Sequence, residues 1–412
     1  MNTNNYKKIG LILLFLGGSI FIAFIIYITF FKSDDTSLLP EKQDQKTITG
    51  GLPETEEGAG QIIDQKETDK LPKDEDQNKP TIKIDQTAQG GVTRTTKISN
   101  VISQEPTLNK NGNLQYYNKE DGKFYYLDSN NNAIILSDKV FHNIQNITWS
   151  PIKNKVILEY PDGSNILYDF NQEKQVTLPK QWKDFNFSSS GNQIVSKSIG
   201  LNPDNSWLVT SNEDGTRAKI IEQIGKNADT VYPSWSPNNQ TIAMYTKGVD
   251  FNRQEVFFLG LNNENFKSTT IEGRGFQYQW QPKGEKLLYS VYSSSNEMKP
   301  MLWIVDAQGE NIGNNRKSLN LETWSSKCTF ANSKELYCAV PKSLEPMSGV
   351  FPELADSTVD NLYKIDLNTG LKKLIAIPDK NFNMSNLIIS NDNEELFFTD
   401  SKTNNIHKIQ LK

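Results

Sequence analysis

A unit of about 40 to 50 residues recurs along most of this chain, and a period of that length is typical of repeat architectures. Each copy has an aromatic or aliphatic anchor, then a polar turn, then an apolar run. The clearest copies contain Trp149 and Trp235, each followed by Ser-Pro. The anchors, spaced 38 to 59 residues apart, are Leu108, Trp149, Phe187, Trp235, Trp280, Phe330 and Ile389. The repeat therefore constrains the fold more than any single motif does.

A second pair of apolar runs follows each anchor unit. Residues 165–169 precede 175–178, for example, and residues 361–366 precede a polar turn at 368–370. Four short strands per period are typical of a propeller blade. We therefore predict an all-β, seven-bladed β-propeller over residues 95–412, with six blades as the alternative if the Leu108 unit is not a full repeat.

The last repeat has three strands, the third at residues 406–411, and lacks an outer strand. Residues 96–103, just before the first anchor, can supply that strand and join the two ends of the domain. Closure of this kind leaves no unpaired interface between the first and last blades. We predict a ring closed by this segment.

The Trp-Ser-Pro turns and the strands ending in Ile-Asp or Val-Asp, such as 364–366 and 304–306, resemble the WD40-like (PD40) repeats of the TolB-type propellers. The same repeats occur in the propellers of dipeptidyl peptidase IV-like enzymes. The resemblance covers roughly residues 100–412 and implies a membrane-anchored bacterial form of this propeller. The turns here depart from the family's Ser-Pro-Asp-Gly. Since such propellers serve as binding platforms, as gates and in other roles, the resemblance implies a fold and no particular function.

The N-terminal region predicts a membrane anchor. Residues 9–31 are 23 residues without a charge, and a helix needs roughly 20 to cross the hydrocarbon core. Lys7 and Lys8 precede this segment, so residues 1–8 are expected in the cytoplasm and the propeller outside, in the periplasm or at the cell surface. A cleavable signal peptide is the alternative, although its apolar region is usually about 7 to 15 residues.

Residues 32–94 are predicted to be a disordered acidic linker, because they contain too few apolar side chains to offset the entropy of ordering. Residues 33–90 hold 14 acidic residues against 7 Lys. Residues 91–412, which contain the propeller head, are nearly neutral, and the whole chain has five Arg. This composition argues against a nucleic-acid partner.

Cysteine usage agrees with an outside location. Cys328 and Cys338 are the two cysteines of the chain, and pairing their strands about position 333 places them opposite each other. We predict a disulfide, which an oxidising compartment would preserve. The alternative is a pair of buried thiols that act as small hydrophobic groups.

Catalytic motifs are missing from the sequence. The two histidines, His142 and His407, lie far apart in sequence, and no ligand spacing indicates a metal. No Gly-x-Ser-x-Gly elbow occurs, and the run from Asp128 to Asn132 is typical of a hairpin turn rather than a calcium loop. We predict no enzyme activity, no cofactor and no metal. A carbohydrate-active enzyme of the cell envelope is the alternative, and it would require carboxylates facing the central channel.

Long connections are predicted on one face of the ring, at 198–205, 247–254, 293–300 and 341–360. The last of these holds an apolar set that often marks an interaction site, although a small local core would explain it too. Its members are Leu344, Met347, Val350, Phe351 and Leu354. We therefore expect a membrane-tethered binding module for a protein or glycan partner. A structural spacer in the envelope is a further alternative.

Overall fold

Seven β-sheets are arranged as seven blades in a computed structural model that describes residues 83–262, 264 and 266–412. Within each blade, consecutive strands pair antiparallel from the central channel outwards. The order of the strands confirms the seven-bladed propeller and excludes the six-bladed alternative. The Leu108 unit forms a complete blade, numbered one.

The blade strands are given from the innermost outwards. Blade one has Ser103–Leu108, Leu114–Asn118, Lys123–Leu127 and Ala133–Ile135. Blade two has Asn146–Trp149, Lys155–Glu159, Asn165–Asp169 and Lys174–Leu178. Blade three has Trp182–Phe187, Gln193–Ser198, Trp207–Asn212 and Lys219–Gln223. Blade four has Val231–Pro233, Ala243–Gly248, Arg253–Leu259 and Thr269–Glu272.

The remaining blades follow the same order. Blade five has Arg274–Trp280, Lys286–Tyr292, Pro300–Asp306 and Lys317–Ser318. Blade six has Cys328–Phe330, Glu335–Pro341, Asp360–Asp366, Lys372–Pro378 and, on its outer edge, Val92–Thr93. Blade seven has Met384–Ile389, Glu395–Asp400, Ile406–Gln410 and, outermost, Thr95–Lys97.

The anchors lie at the ends of the innermost strands, and Trp235 lies two residues beyond one. Their side chains fill the space between neighbouring blades. The indole N–H of Trp149 donates to the Glu105 carbonyl oxygen at 2.9 Å, and that of Trp280 donates to Ser234 Oγ at 2.8 Å. Both rings are half-buried, with the apolar part packed between blades and the N–H bonded to an acceptor. The repeat of the sequence is thus a repeat of contacts between blades.

Ring closure occurs as the sequence predicts, through a shorter strand. Thr95–Lys97 pairs antiparallel with the third strand of blade seven, which places Thr95 opposite Ile409. The Asp379 carboxylate then accepts hydrogen bonds from the backbone N–H and the hydroxyl of Thr95, at 3.0 and 2.6 Å. A strand that precedes blade one in sequence therefore completes the last blade.

The linker prediction extends too far towards the propeller. Val92–Thr93 pairs in parallel with Ile377 and Pro378 on the edge of blade six, and the Ala88 N–H donates to the Gln410 carbonyl oxygen. A strand of two residues after Gly90-Gly91 shows no alternation in sequence, so its pattern does not distinguish it from a linker.

The helices are short 3₁₀-helices within connections, and one of them, Gly225–Thr230, is kinked at Asn227. They are Pro203–Asn205, Gly225–Thr230, Ser294–Asn296, Gly309–Asn311, Ser325–Lys327 and Pro352–Ala355. None of the helices in the described part of the chain is long and apolar enough to span a membrane. The predicted anchor at 9–31, the N-terminus at 1–8 and most of the linker lie outside the described residues.

Candidate binding face

One face of the propeller carries the connections from second to third strand in every blade and the connections between blades. We call it the upper face. In blades one to seven its second-to-third connections span 119–122, 160–164, 199–206, 249–252, 293–299, 342–359 and 401–405. Blades three, five and six therefore have the longest of these connections, and the one in blade six is the longest of all.

The long connection predicted for blade four was wrong. Its two middle strands continue their pairing to Lys247 opposite Glu255 and Gly248 opposite Gln254, so a tip of four residues remains. Arg253 stabilises this tip through an ion pair with Asp250 at 2.7 Å. The polar and glycine residues of segment 247–254 resemble a loop in sequence, although the hairpin continues into them.

Exposed apolar side chains lie on the second-to-third connections of blades three, four and six. Leu201 is fully exposed, Phe251 is 72% exposed and Phe351 is 48% exposed. We call the whole set the apolar rim, and its members are Leu201, Val249, Phe251, Met347, Phe351 and Leu354. Sequence analysis missed the first three. Their signal is an apolar residue enclosed by turn formers, as in Gly200-Leu201-Asn202 and Asp250-Phe251-Asn252.

The five residues predicted for the blade-six insertion divide into two groups. Leu344 is buried and packs in a small core with Trp324 and Ala355, as the local-core alternative expects. Met347, Phe351 and Leu354 are exposed, and Val350 is half-buried. The insertion thus has a buried root and an exposed tip, and the tip consists of Met347, Phe351 and Leu354.

The tip rests on blade five. The Met347 N–H donates to the Glu297 carbonyl oxygen and the Gly349 N–H donates to the Met298 carbonyl oxygen, both at 2.8 Å. A Cβ atom added to Gly349 would lie 2.5 Å from Tyr292 Cβ, so a side chain has no room there. These contacts fix the backbone of the tip while its apolar side chains point away from the core.

The root contains a buried ion pair. Lys327, which precedes the innermost strand of blade six, places its Nζ 2.8 Å from Asp360 Oδ2, and Asp360 is fully buried. The same Nζ donates to Asn383 Oδ1 at 2.6 Å, and the Met384 N–H donates to Asp360 Oδ2 at 2.6 Å. Burial raises the pKa of Asp360, and the Lys327 ammonium acts against that rise. The pair joins blades six and seven below the insertion.

A cavity of about 220 Å³ opens beside this root, between blades five, six and seven. Its lining residues are Gln277, Trp324, Ser326, Lys327, Pro352, Ala355, Asp356, Asn383, Ser385 and Ser401. Seven of these ten residues have polar side chains, and one of the seven, Lys327, supplies a buried ammonium group. We call this the root cavity.

A second cavity, of about 300 Å³, lies where the innermost strands of blades one, two and seven meet. Amide side chains dominate it, and it contains one carboxylate, that of Glu105. The carboxylate is open to the channel yet enclosed by protein, and this enclosure raises its pKa while Lys153 lowers it. A glycosidase of the two-carboxylate type needs a pair about 5 to 9.5 Å apart. The other carboxylate on the innermost strands is Asp184, in blade three, and it forms an ion pair with Lys197 at 2.7 Å.

The two cysteines lie directly opposite each other in blade six, as the predicted register requires. A disulfide joins Cys328 and Cys338 in the structure, and both side chains are buried against Leu336 and Ile365. The bond closes the hairpin beneath the root of the insertion.

The histidines lie apart, in different environments. His142 is exposed in the connection between blades one and two, whereas His407 is buried in blade seven between Phe382 and Phe398. Asp128 caps the hairpin turn that its sequence predicts, because its Oδ1 accepts from the N–H groups of Asn130 and Asn132, each at 2.8 Å.

Comparison with known proteins identifies the fold. No protein-family model matches this chain, and no curated protein matches its sequence. Among solved structures, an oligogalacturonate lyase in complex with manganese superposes with a TM-score of 0.52 at 12% identity, over 77% of this chain and 93% of that one. The Cps50 (Swd1) β-propeller domain of Myceliophteria thermophila gives 0.52 at 12% identity, over 77% and 100%. The tricorn protease gives 0.50 at 11% identity, over 77% of this chain and 33% of the protease. At these identities the likeness shows the β-propeller fold alone, so the chain is a seven-bladed propeller similar in shape to these structures.

Proposed function

We propose that this chain is a binding module. Residues 9–31 anchor it in the cell membrane, and its propeller captures a protein partner on the outer side through the apolar rim. The observation that carries this proposal is that exposed Leu, Phe and Met side chains lie on the upper-face connections of blades three, four and six.

The chemistry of the rim favours a protein partner. Aromatic residues and Met are enriched at the centres of protein interfaces, and exposed apolar patches mark interaction sites. Phe251, Met347 and Phe351 are of these types. Met is flexible and polarisable, so it adapts to the surface it meets. Charged and polar groups such as Asp250, Arg253 and Lys342 surround these side chains, as at the rim of an interface.

The construction of the tip supports the same proposal. The Met347 and Gly349 N–H groups fix the tip backbone against blade five, so less entropy is lost when a partner binds than for a free loop. A connection needed only to link two strands would not require this support.

The lower face supplies a matched control. Leu371, in the turn between the third and fourth strands of blade six, is 70% exposed. It has the same residue type as Leu354 and the same blade, but lies on the opposite side of the ring. A partner bound to the apolar rim would not contact it.

The experiment is site-specific photocrosslinking in cells with the full-length chain. A photoreactive residue replaces Met347, Phe351 or Leu354 in turn, and Leu371 in the control. We expect one protein to be crosslinked from all three tip positions and not from position 371. In unmodified cells, Phe351→Ser should reduce co-purification of that protein about tenfold or more, because interface aromatics are common hot spots.

Two results would contradict the proposal. One is a different set of proteins from each of the three tip positions, as expected for random collisions. The other is equal crosslinking from positions 351 and 371. A protease-accessibility assay on cells with a permeable outer layer and an intact cell membrane tests the location separately. If added protease does not cleave the propeller in such cells, the propeller lies in the cytoplasm.

A further inference from the structure

The root cavity combines a buried ammonium group, that of Lys327, with exposed polar side chains, and the proposed function does not explain this arrangement. Four polar side chains of its lining have no hydrogen-bond partner among the residues the structure describes. They come from four separate chain segments, and they are Gln277, Ser326, Asp356 and Ser401. All four are exposed where they line the cavity, so a ligand there can exchange hydrogen bonds with them in place of water.

These four groups offer a mixed set of donors and acceptors. An amide and two hydroxyls can each donate and accept, whereas the Asp356 carboxylate only accepts. A fitting ligand must therefore both donate and accept around its edge. Adjacent hydroxyl groups on a ring have this property, whereas an amine only donates and a phosphate mainly accepts.

A buried cation adds a fixed donor to the site. An ammonium group has three N–H bonds, and for Lys327 Nζ the described residues provide two partners, Asp360 Oδ2 and Asn383 Oδ1. Lys327 is 8% exposed and lines the cavity. Its third N–H is thus available to an oxygen atom of a ligand, and its two partners already hold it in place.

The charge of the lining disfavours an anionic ligand. Asp360 neutralises Lys327, and Asp356 adds a negative charge at the surface of the cavity. A phosphate or an acidic sugar would be repelled by that carboxylate. A neutral ligand has no such cost.

Size limits the ligand further. Sites for drug-sized molecules measure roughly 300 to 1,000 Å³, so a cavity of about 220 Å³ suits a single ring. Pro352, Ala355 and Trp324 give one side of it an apolar wall, against which the C–H face of a ring can pack. The opening lies on the upper face, where further rings of a chain can extend into solvent.

We propose that the root cavity binds one ring of a neutral sugar. Gln277, Ser326, Asp356 and Ser401 exchange hydrogen bonds with its hydroxyl groups, and Lys327 donates to one of its oxygens. This site is separate from the apolar rim and uses none of its exposed side chains. The upper face would then carry two binding functions, one for a protein and one for a glycan.

The test is saturation-transfer NMR on the full-length chain in detergent. The probes are D-glucose, D-galactose, D-mannose and N-acetyl-D-glucosamine, with D-glucuronate as the anionic counterpart of glucose. We expect at least one neutral sugar to bind with a Kd below about 10 mM. If glucose binds, glucuronate should bind at least about tenfold more weakly.

Variants place the bound sugar in the cavity. Gln277→Ala and Ser401→Ala should each weaken binding about three- to tenfold, as the loss of one hydrogen bond predicts. Both side chains are exposed and have no protein partner, so both variants should fold normally. Gln172→Ala, an exposed Gln on the lower face of blade two, is the matched control and should change nothing. Phe351→Ser should leave sugar binding unchanged, which separates this site from the rim.

The proposal is overturned if none of the four neutral sugars binds below about 10 mM. It is also overturned if a sugar binds equally well to wild type, Gln277→Ala and Ser401→Ala, because the ligand then lies elsewhere. Tighter binding of glucuronate than of glucose would contradict the neutral character of the ligand.

Discussion

The root and the tip of the blade-six insertion belong to one segment of 18 residues, 342–359, yet they obey different physical constraints. At the root, Leu344 and Ala355 are buried, and the insertion ends at Asp360, which pairs with Lys327. At the tip, Phe351 and Leu354 remain in water. The comparison shows that this insertion is not simply a loop that buries its own apolar residues.

The difference separates stability from recognition. Contacts at the root join blades six and seven, so their loss should destabilise the fold. Side chains at the tip make few contacts with the rest of the chain, so their loss should affect only what binds there. Each of the following substitutions either tests this separation or makes it more exact.

The largest effect is expected from Lys327→Ala. It leaves the fully buried Asp360 carboxylate without its counter-ion, and removing one member of a buried pair costs about 3 to 5 kcal/mol. Chemical denaturation at pH 7 measures the free energy of unfolding. Lys342→Ala, at an exposed position of the insertion, is the control and should change it by less than about 0.5 kcal/mol.

The pH dependence of the free energy of unfolding identifies why the Lys327→Ala variant is less stable. Burial raises the pKa of Asp360, and Lys327 opposes that rise, so without Lys327 the folded chain should bind a proton at Asp360 more tightly than the unfolded chain does. The cost should therefore shrink as the pH falls towards 4, since a protonated carboxyl needs no counter-ion. A cost that is constant between pH 7 and pH 4 would assign the loss to packing instead.

A smaller loss is expected from Leu344→Ala. The side chain packs with Trp324 and Ala355 in the core of the root, and truncating a buried Leu typically costs about 2 to 5 kcal/mol. We expect a value near the lower end, because this core is small. Leu354→Ala makes the same chemical change at the tip, and an equal loss in both variants would refute the distinction between root and tip.

The cross-strand pair of cysteines lies next to the root, in the hairpin that contains Cys328 and Cys338. Closing a loop of this length with a disulfide stabilises a chain by roughly 2 to 3 kcal/mol in the chain-entropy model. The double variant Cys328→Ala and Cys338→Ala should lose about this amount, and a reducing agent should destabilise wild type to the same extent. If the reducing agent has no effect on the unfolding of wild type purified without reductant, the two residues are buried thiols.

The blade-seven side of the root should respond to pH. Burial lowers the pKa of His407 below its ordinary 6.5, with Lys97 and Lys380 acting in the same direction and Asp400 against it. Because the unfolded chain binds this proton more readily, the stabilising contribution is present above pH 6.5 and is lost as the pH falls through the lowered folded-state value. Denaturation of wild type should therefore show a free energy of unfolding that falls between pH 7.5 and pH 5. In His407→Gln this dependence on pH should be weaker.

The sequence predicted the architecture well because the repeat reports contacts between blades. Every anchor from Leu108 to Ile389 fills an interface next to the channel, so counting anchors counts blades. The opposition of Cys328 and Cys338 followed from the two-residue period of paired strands. Such local periodicities can be read directly from a sequence.

What sequence analysis missed depends on contacts between distant segments. Lys327 and Asp360 are 33 positions apart, and the packing of blade six against blade seven brings them together with Asn383. In sequence, Leu201 and Phe251 resemble ordinary turn residues, and only the fold shows that their connections lie on the same face. The root cavity is likewise formed by three blades, and no local pattern indicates it.

The smallest effect on stability is expected at the tip. Phe351→Ser removes a side chain that is 48% exposed and leaves the Met347 and Gly349 hydrogen bonds in place. The free energy of unfolding should therefore change by less than about 0.5 kcal/mol, as it should for Leu371→Ser on the lower face. Equilibrium denaturation of both variants measures this, and a loss above 1 kcal/mol in Phe351→Ser alone would mean that the tip belongs to the core.

If both variants are as stable as wild type, only their partner-binding separates them, since Phe351→Ser alters the face proposed for recognition and Leu371→Ser the opposite one. Phe351 would then be a large apolar residue that contributes nothing to folding and is held in water by a backbone fixed to blade five, as the proposed role in partner binding requires.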